Sequence, residues 1–258
     1  MNIFLSPFVN GLFGFYYLTG SLAWSIVLMT VLIKVVLWPL VTPSIKSAAK
    51  MKDLQPKLKK LQEKYKGNKE GLAKAQMELY KQEGINPLSG CLPQILQIAV
   101  LLLFFGAFNT VTQVAEKKVK NESINQHLVS NFRIDSNFKF NINLGGISML
   151  DTPAKIYKKG VNINLIIPII LLLGSAWLQY YSSKLMMPTA KVDENVVKET
   201  KDKEDDMMSA MRTQSMYMMP LMTLFIGWNF NMGMLLYWFV NSLATTGQQL
   251  IIEKTKKT

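Results

Sequence analysis

Four long stretches of this 258-residue chain contain no Asp, Glu, Lys or Arg: residues 1–33, 84–115, 160–183 and 213–252. A helix needs about 20 apolar residues to cross a hydrocarbon core about 30 Å thick, so the first three stretches each accommodate one span and the fourth accommodates two. The middle of the fourth reads Gly227-Trp228-Asn229-Phe230-Asn231-Met232-Gly233, a polar, glycine-containing break suited to a tight helical hairpin. The pattern predicts an all-α polytopic membrane protein. Five transmembrane helices are expected: 21–42, 87–112, 161–184, and a fourth and fifth within 214–252, divided near 229–233. Apolar residues 1–20 are expected to lie at the extracytoplasmic membrane face. A basic leader and a small-residue cleavage site are lacking before the first span, and the single cysteine, Cys91, lies far downstream, which argues against a signal peptide or lipoprotein anchor.

The flanking charges set an expected orientation. Segment 43–86 carries 11 Lys, 184–213 carries 6 Lys or Arg, and the short basic tail 253–258 carries 3, against 8 Lys or Arg in 113–160. The bias of basic residues towards the cytoplasm then places the N-terminus outside and the C-terminus inside. Segment 185–213 is charge-dense and poor in apolar anchors, so a mobile cytoplasmic loop is expected there. Segment 113–160 reads as an irregular or weakly strand-like extracytoplasmic loop, with Phe138, Phe140, Ile142 and Leu144 alternating.

Segment 43–86 has a pattern of its own. Leu54, Leu58, Leu61 and Tyr65 form one apolar stripe at helical spacing, and Leu72, Ala75 and Leu79 form another after Gly67-Asn68. Two amphipathic helices joined by a short turn make an antiparallel hairpin. Lys57, Lys59, Lys60, Lys64, Lys66 and Lys69 cluster towards its tip. Such a face either lies near anionic lipid headgroups or contacts ribosomal RNA or an acidic partner.

Apart from Lys184 at the very end of the third, Lys34 is the one charge inside an expected span, and no acid lies in any of the five to pair with it. A lysine at mid-span costs on the order of 2.5–3.5 kcal/mol on insertion scales, so something must solvate it. Snorkelling to the interface is one solution. A water-filled cavity is the other, and it would present a positive field to an incoming acidic segment. Gln94 and Gln97 share a face of the second span, Gln179 lies late in the third, and Asn241, Thr245, Gln248 and Gln249 mark the fifth. Each alone could be interhelical glue. Together with an unpaired lysine they predict a shared polar groove.

The composition offers little to catalysis. One His, one Cys, and the lack of a His-Glu-x-x-His motif, a phosphate-binding glycine loop or paired intramembrane acids point away from an enzyme, a metal site or a cofactor. His127, in loop 113–160, reads as an ordinary surface residue. Nine of the 16 methionines fall between Met207 and Met234, and such flexible thioethers could form part of a slide for varied apolar partners.

Several landmarks also resemble a known family. Trp24 to Leu40, ending Trp38-Pro39-Leu40, is followed by Gln55-Pro56-Lys57-Leu58. Next come Gly84-Ile85-Asn86-Pro87-Leu88-Ser89-Gly90-Cys91-Leu92-Pro93-Gln94, then Met219-Pro220, Gly233, Leu236-Tyr237-Trp238, Asn241 and Gln248-Gln249. In this order they resemble the YidC family of membrane protein insertases, in the bacterial short form without a large extracytoplasmic domain. The resemblance implies five helices around a hydrophilic groove open to the cytoplasm and lipid but closed to the outside. It implies no cofactor. A positive residue of the first span would attract the polar tail of a nascent membrane protein while the apolar segment slides into the bilayer. Lys34 matches that position, where the family commonly carries Arg, so charge is kept and bidentate carboxylate recognition is lost. Gln179 and Trp238 match groove positions, and Met232 stands where the family commonly has Pro.

The implied partners are nascent membrane proteins, the lipid bilayer, a Sec translocon, and the ribosome through the first cytoplasmic loop, with no role for DNA. The alternative function is a small-solute or anion transporter using the same groove. Transporters commonly carry internal repeats, and the two halves of this chain show none. A membrane enzyme of lipid metabolism would need convergent acid and base residues that the spans lack.

Overall fold

Helix length and apolarity coincide in three places. The computed structural model describes residues 4–65, 67–85, 92–161, 163–186 and 214–257, and over these it is mostly helical. Helices α2 (Leu22–Asp53), α5 (Leu92–Ala115) and α7 (Ile166–Met186) each contain a run long and apolar enough to cross a membrane. Helix α8 (Met219–Gly227) is apolar but short. With the π-helical turn Gln214–Met218 before it, it rises only about 21 Å. Helix α9 (Met232–Lys257) has 26 residues and is long enough, at about 39 Å, but Asn241, Thr245, Thr246, Gln248 and Gln249 dilute its apolarity.

Helix α2 runs 32 residues, through Pro39 and Pro43, to Asp53. Residues 43–53, which charge groups with the hairpin, therefore continue the first helix. Lysines mark where hydrocarbon ends, and a helix continues into water without a break. The hairpin begins after this, with α3 (Gln55–Lys64) and α4 (Lys69–Gln82). Gly67, at φ +86°, makes the turn in a conformation that favours glycine, and the Asn68 side chain caps α4 by accepting from Gly71 N at 2.9 Å. The expected stripes meet at the base, where Leu54, Leu58, Tyr80 and Ile85 are buried together and Met51 and Leu79 pack against them.

The apolar N-terminal segment forms α1 (Leu5–Thr19), whose Val9, Leu12, Phe13 and Tyr16 are buried in the main core. It packs against α2 and α5. Over it lies segment 113–160, which contributes Ile124, Leu128, Ile134, Ile147, Met149, Leu150 and Ile156 to that same core. The expected alternation appears in burial: Phe138, Phe140, Ile142 and Leu144 are half-buried and the residues between them exposed. Ladder pairing is confined to β1 (Asn143–Leu144) and β2 (Ile147–Ser148), joined through Gly145 and Gly146, both at positive φ. The short helix α6 (Pro153–Lys158) completes the segment, with Thr152 as its cap.

Hydrogen bonds stitch this segment to the helix ends. Leu22 N donates to Asn141 O (3.0 Å), Met232 N to Asp151 O (2.7 Å) and Gly233 N to Met149 O (2.9 Å), which satisfies donors at the first turns of α2 and α9. Tyr16 Oη accepts from Asn141 N at 2.6 Å, and Asn10 Oδ1 accepts from Val129 N at 2.8 Å. Phe13 and Tyr16 pack edge-on against Phe140. The loop expected from sequence is thus a lid packed on one end of the helices. The expected mobile loop 185–213 lies outside the described residues from 187 to 213, as do residues 86–91 of the glycine-rich entry to α5.

Candidate functional site

Each long helix divides into a core half and a cavity half. Buried core residues are Leu22 to Met29 in α2, Val100 to Val114 in α5, Leu171 and Leu172 in α7, and Met232 to Tyr237 in α9. Away from the lid, the same helices part around a cavity of about 570 Å³, bordered in α2 by Thr30 to Lys52, in α5 by Gln94 to Leu101, in α7 by Leu178 to Met186, and in α9 by Tyr237 to Gln249. Helix α8 supplies Met219, Met222, Thr223 and Ile226. The described lining includes Lys34 and Lys52 and no carboxylate.

Lys34 is half-buried, and its Nζ donates to Thr245 Oγ1 at 2.8 Å and to Gln97 Oε1 at 3.2 Å. The side chain therefore points across the cavity to α5 and α9, where neutral oxygens rather than an acid receive its protons. Gln97 in turn donates from Nε2 to Tyr237 Oη at 3.1 Å. Thr245 donates to Asn241 O, one turn back in α9, at 2.8 Å. This spares the acceptor face of Thr245 Oγ1 for the ammonium.

The other residues expected in a groove also reach the cavity. Gln94 lines it and directs Nε2 to Met219 Sδ at 3.9 Å, from α5 towards α8. Gln179 Oε1 accepts from Thr223 Oγ1 at 2.9 Å, while its Nε2 is buried without a partner among the described residues. Trp238 and Asn241 line the cavity, and the Trp238 ring packs against Phe230 with centroids 5.6 Å apart. Gln248 and Gln249 are buried and act as interhelical ties: Gln248 Nε2 donates to Trp38 O at 3.4 Å, and Gln249 Oε1 accepts from Ser182 Oγ at 2.8 Å.

Tyr237 is the site residue that sequence reasoning missed. In an apolar run it reads as core, and it is indeed 1% exposed and stacked on Phe104, with centroids 4.2 Å apart. The signal was available in spacing: Tyr237, Asn241, Thr245 and Gln248 fall at intervals of four, four and three on one face of α9. Thr223, half-paired with Gln179, was likewise passed over in an apolar stretch.

The methionine cluster splits. Met219 and Met222 line the cavity and Met218 is exposed, whereas Met216, Met232 and Met234 are buried. Met207, Met208 and Met211 lie outside the described residues.

The described hairpin lysines, Lys57, Lys60 and Lys64, stand apart from the cavity. Lys57 is ion-paired with Glu83, Lys60 is exposed, and Lys64 sits 5.7 Å from the centroid of the Tyr65 ring. The side chains of Lys59 and Lys69, and residue Lys66, lie outside the described residues. His127 anchors the lid through its backbone, its carbonyl accepting from Asn10 Nδ2 at 2.6 Å.

Residues 14–258 match the sequence profile of the family described as 60Kd inner membrane protein. The chain is 28% identical over 254 residues to a membrane protein insertase YidC of Pelobacter propionicus, covering 98% of this chain and 39% of that protein. It is 32% identical over 241 residues to a protein of the same name from Streptomyces avermitilis, covering 92% and 52% respectively. A third insertase YidC, from Helicobacter pylori, is 44% identical over 103 residues, 40% of this chain. The chain thus spans between about two fifths and half the length of the first two relatives.

Proposed function

The chain belongs to the 60Kd inner membrane protein family, the YidC insertases, and from that premise we propose that it inserts nascent membrane proteins by receiving them in the Lys34 cavity. Family membership and three helices long and apolar enough to cross a membrane indicate a multi-pass protein of the inner membrane. The observation that carries the reading is an ammonium held by Gln97 and Thr245 in a cavity of about 570 Å³ whose described lining contains no carboxylate. An internal acid would have neutralised Lys34. Neutral oxygen partners hold it in place and leave its field available to a client's acidic tail.

The proposed mechanism needs no chemical step. A polar tail crossing about 30 Å of hydrocarbon leaves its backbone groups unsatisfied, and a wet cavity reaching partway through shortens that path. The client's acidic tail enters near Lys34, Gln97, Gln179 and Asn241 while its apolar segment leaves into lipid, past Met219 and Met222. Burial of that segment in hydrocarbon drives release. The core half under the lid closes the far end.

This reading assigns five spans, adding α8 with its preceding turn and α9. The polar residues that weaken α9 as a membrane segment are those facing the cavity, so a low overall apolarity is compatible with crossing. The N-terminus is placed outside and the C-terminus in the cytoplasm by the basic-residue bias. The lysine hairpin, Lys57, Lys59, Lys60, Lys64, Lys66 and Lys69, is assigned to a ribosome or acidic partner, and a Sec translocon is assigned as a co-worker for larger clients.

The test is reconstitution in liposomes with a single-span client bearing an acidic external tail, read by protease protection. Wild type and Lys34→Arg should protect the tail. Lys34→Ala should slow insertion roughly tenfold, since a unit charge pair about 12 Å apart at an effective dielectric of about 20 is worth about 1.4 kcal/mol. Equal insertion by all three would remove Lys34 from the mechanism. Solute flux without client insertion would replace the insertase reading by a transporter.

A further inference from the structure

Eight basic residues lie in segment 113–160, on the side where the charge bias expects few, and the insertase cavity uses none of them. We propose that two of them, Lys155 and Lys158, with Tyr157, Trp228 and the start of α7, form a binding site for an anionic phospholipid headgroup in the leaflet on the lid side. The proposal stands on the membrane-crossing α7 and is independent of the insertase reading.

Helix α6 is a rigid platform. Pro153 and Ile156 are buried in the core, Thr152 Oγ1 accepts from Lys155 N at 3.1 Å, and Ala154 N donates to Trp228 O at 3.1 Å. Its outer surface presents Lys155 and Lys158, both exposed and without a carboxylate partner among the described residues. Lys159 differs, lying 3.6 Å from Asp151 Oδ2. Tyr157, 52% exposed, packs beside Trp228 with ring centroids 5.9 Å apart. Just beyond the turn at Gly160, Val161 and Ile163 are 80% and 78% exposed, and Ile166 opens α7.

Two β-branched apolar side chains this exposed are unfavourable in water and favourable against acyl chains. Along the chain, the mixed cation and aromatic cluster of Lys155, Tyr157 and Lys158 comes first, then the apolar Val161 and Ile163, and then the membrane helix. That order matches the layers of a bilayer from phosphate through interface to hydrocarbon. Two unpaired ammonium groups at phosphate level select an anionic over a zwitterionic headgroup.

The test uses the full chain in detergent, titrated with phosphatidylglycerol or phosphatidylcholine, with bound lipids counted by native mass spectrometry. Wild type should retain phosphatidylglycerol and not phosphatidylcholine. The double variant K155Q/K158Q should bind phosphatidylglycerol about 30-fold more weakly, from about 1 kcal/mol for each lysine. R133Q/K139Q, which removes equal charge from the part of the lid packed on α1, should bind as wild type. Equal retention of the two lipids by wild type, unchanged binding by K155Q/K158Q, or equal loss in both double variants would overturn the site.

Discussion

The core half and the cavity half are made from the same helices, yet they are built on opposite rules. Under the lid, α9 approaches α2 and α5 so closely that a Cβ on Gly233 would collide with Phe108 and meet Ile26 at 3.1 Å. Fourteen residues later, on the face of the same helix that carries the exposed Leu243 and Ile251, a Cβ on Gly247 would meet nothing within 4 Å. One half is filled by Phe104, Phe108, Ile26 and Tyr237 and tied to the lid by backbone hydrogen bonds; the other keeps its helices apart around a lysine. The difference teaches that rigidity and vacancy depend on each other here. A cavity in a helix bundle persists only if another part of the same helices is packed well enough to fix their separation.

Substitutions at matched positions can break this contrast. The largest effect is expected for Phe104→Ala, which removes a fully buried ring stacked on Tyr237. It should destabilise by about 3–5 kcal/mol, seen as a large fall in thermal unfolding temperature in detergent. Gly233→Ala should cost about 1–3 kcal/mol by overpacking against Phe108, read by the same melt. A wild-type melt for Gly233→Ala would mean that the two helices part freely and that the core half is not the clamp.

Tyr16→Phe sharpens the role of the lid. It removes the acceptor of Asn141 N and should cost about 1–3 kcal/mol, with faster hydrogen exchange in residues 139–149 than elsewhere. Uniform acceleration across the helices would show that the lid and the bundle open as one unit. The smallest effect, and of opposite sign, is expected for Gly247→Ala. With open space for the methyl group and helical backbone at that position, it should stabilise by about 0.4–1 kcal/mol. A destabilised Gly247→Ala would mean that this outer face of α9 is not open.

Much of this was legible from residue types at known spacings. An unpaired lysine in an apolar run pointed to a polar environment. The glutamine pair on α5 and the polar face of α9 indicated where its partners would come from. The two apolar stripes after Leu54 and the Gly67-Asn68 turn appear as α3 and α4, and the alternation in 138–144 appears as alternating burial. Tyr237 was not read as a site residue because an aromatic in an apolar run has the same local signature whether it only fills the core or also holds a glutamine. The helix that holds the first expected span runs 11 residues past position 42, about three turns, because charge reports the membrane boundary and helix propensity does not stop there.

What the sequence determined by itself was therefore the apolar segments, their separation by charged connections, and the kinds of polar group available inside them. These follow from the short-range cost of placing charge or unsatisfied backbone in hydrocarbon, which each segment meets on its own. Only the tertiary structure decided that Lys34 reaches Thr245, 211 positions away, and Gln97, 63 away, and that segment 113–160 is a lid. Those pairings depend on how each helix is rotated and how closely it approaches its neighbours. Rotation and approach are set by side-chain packing summed over several elements, which no single segment carries in its own composition.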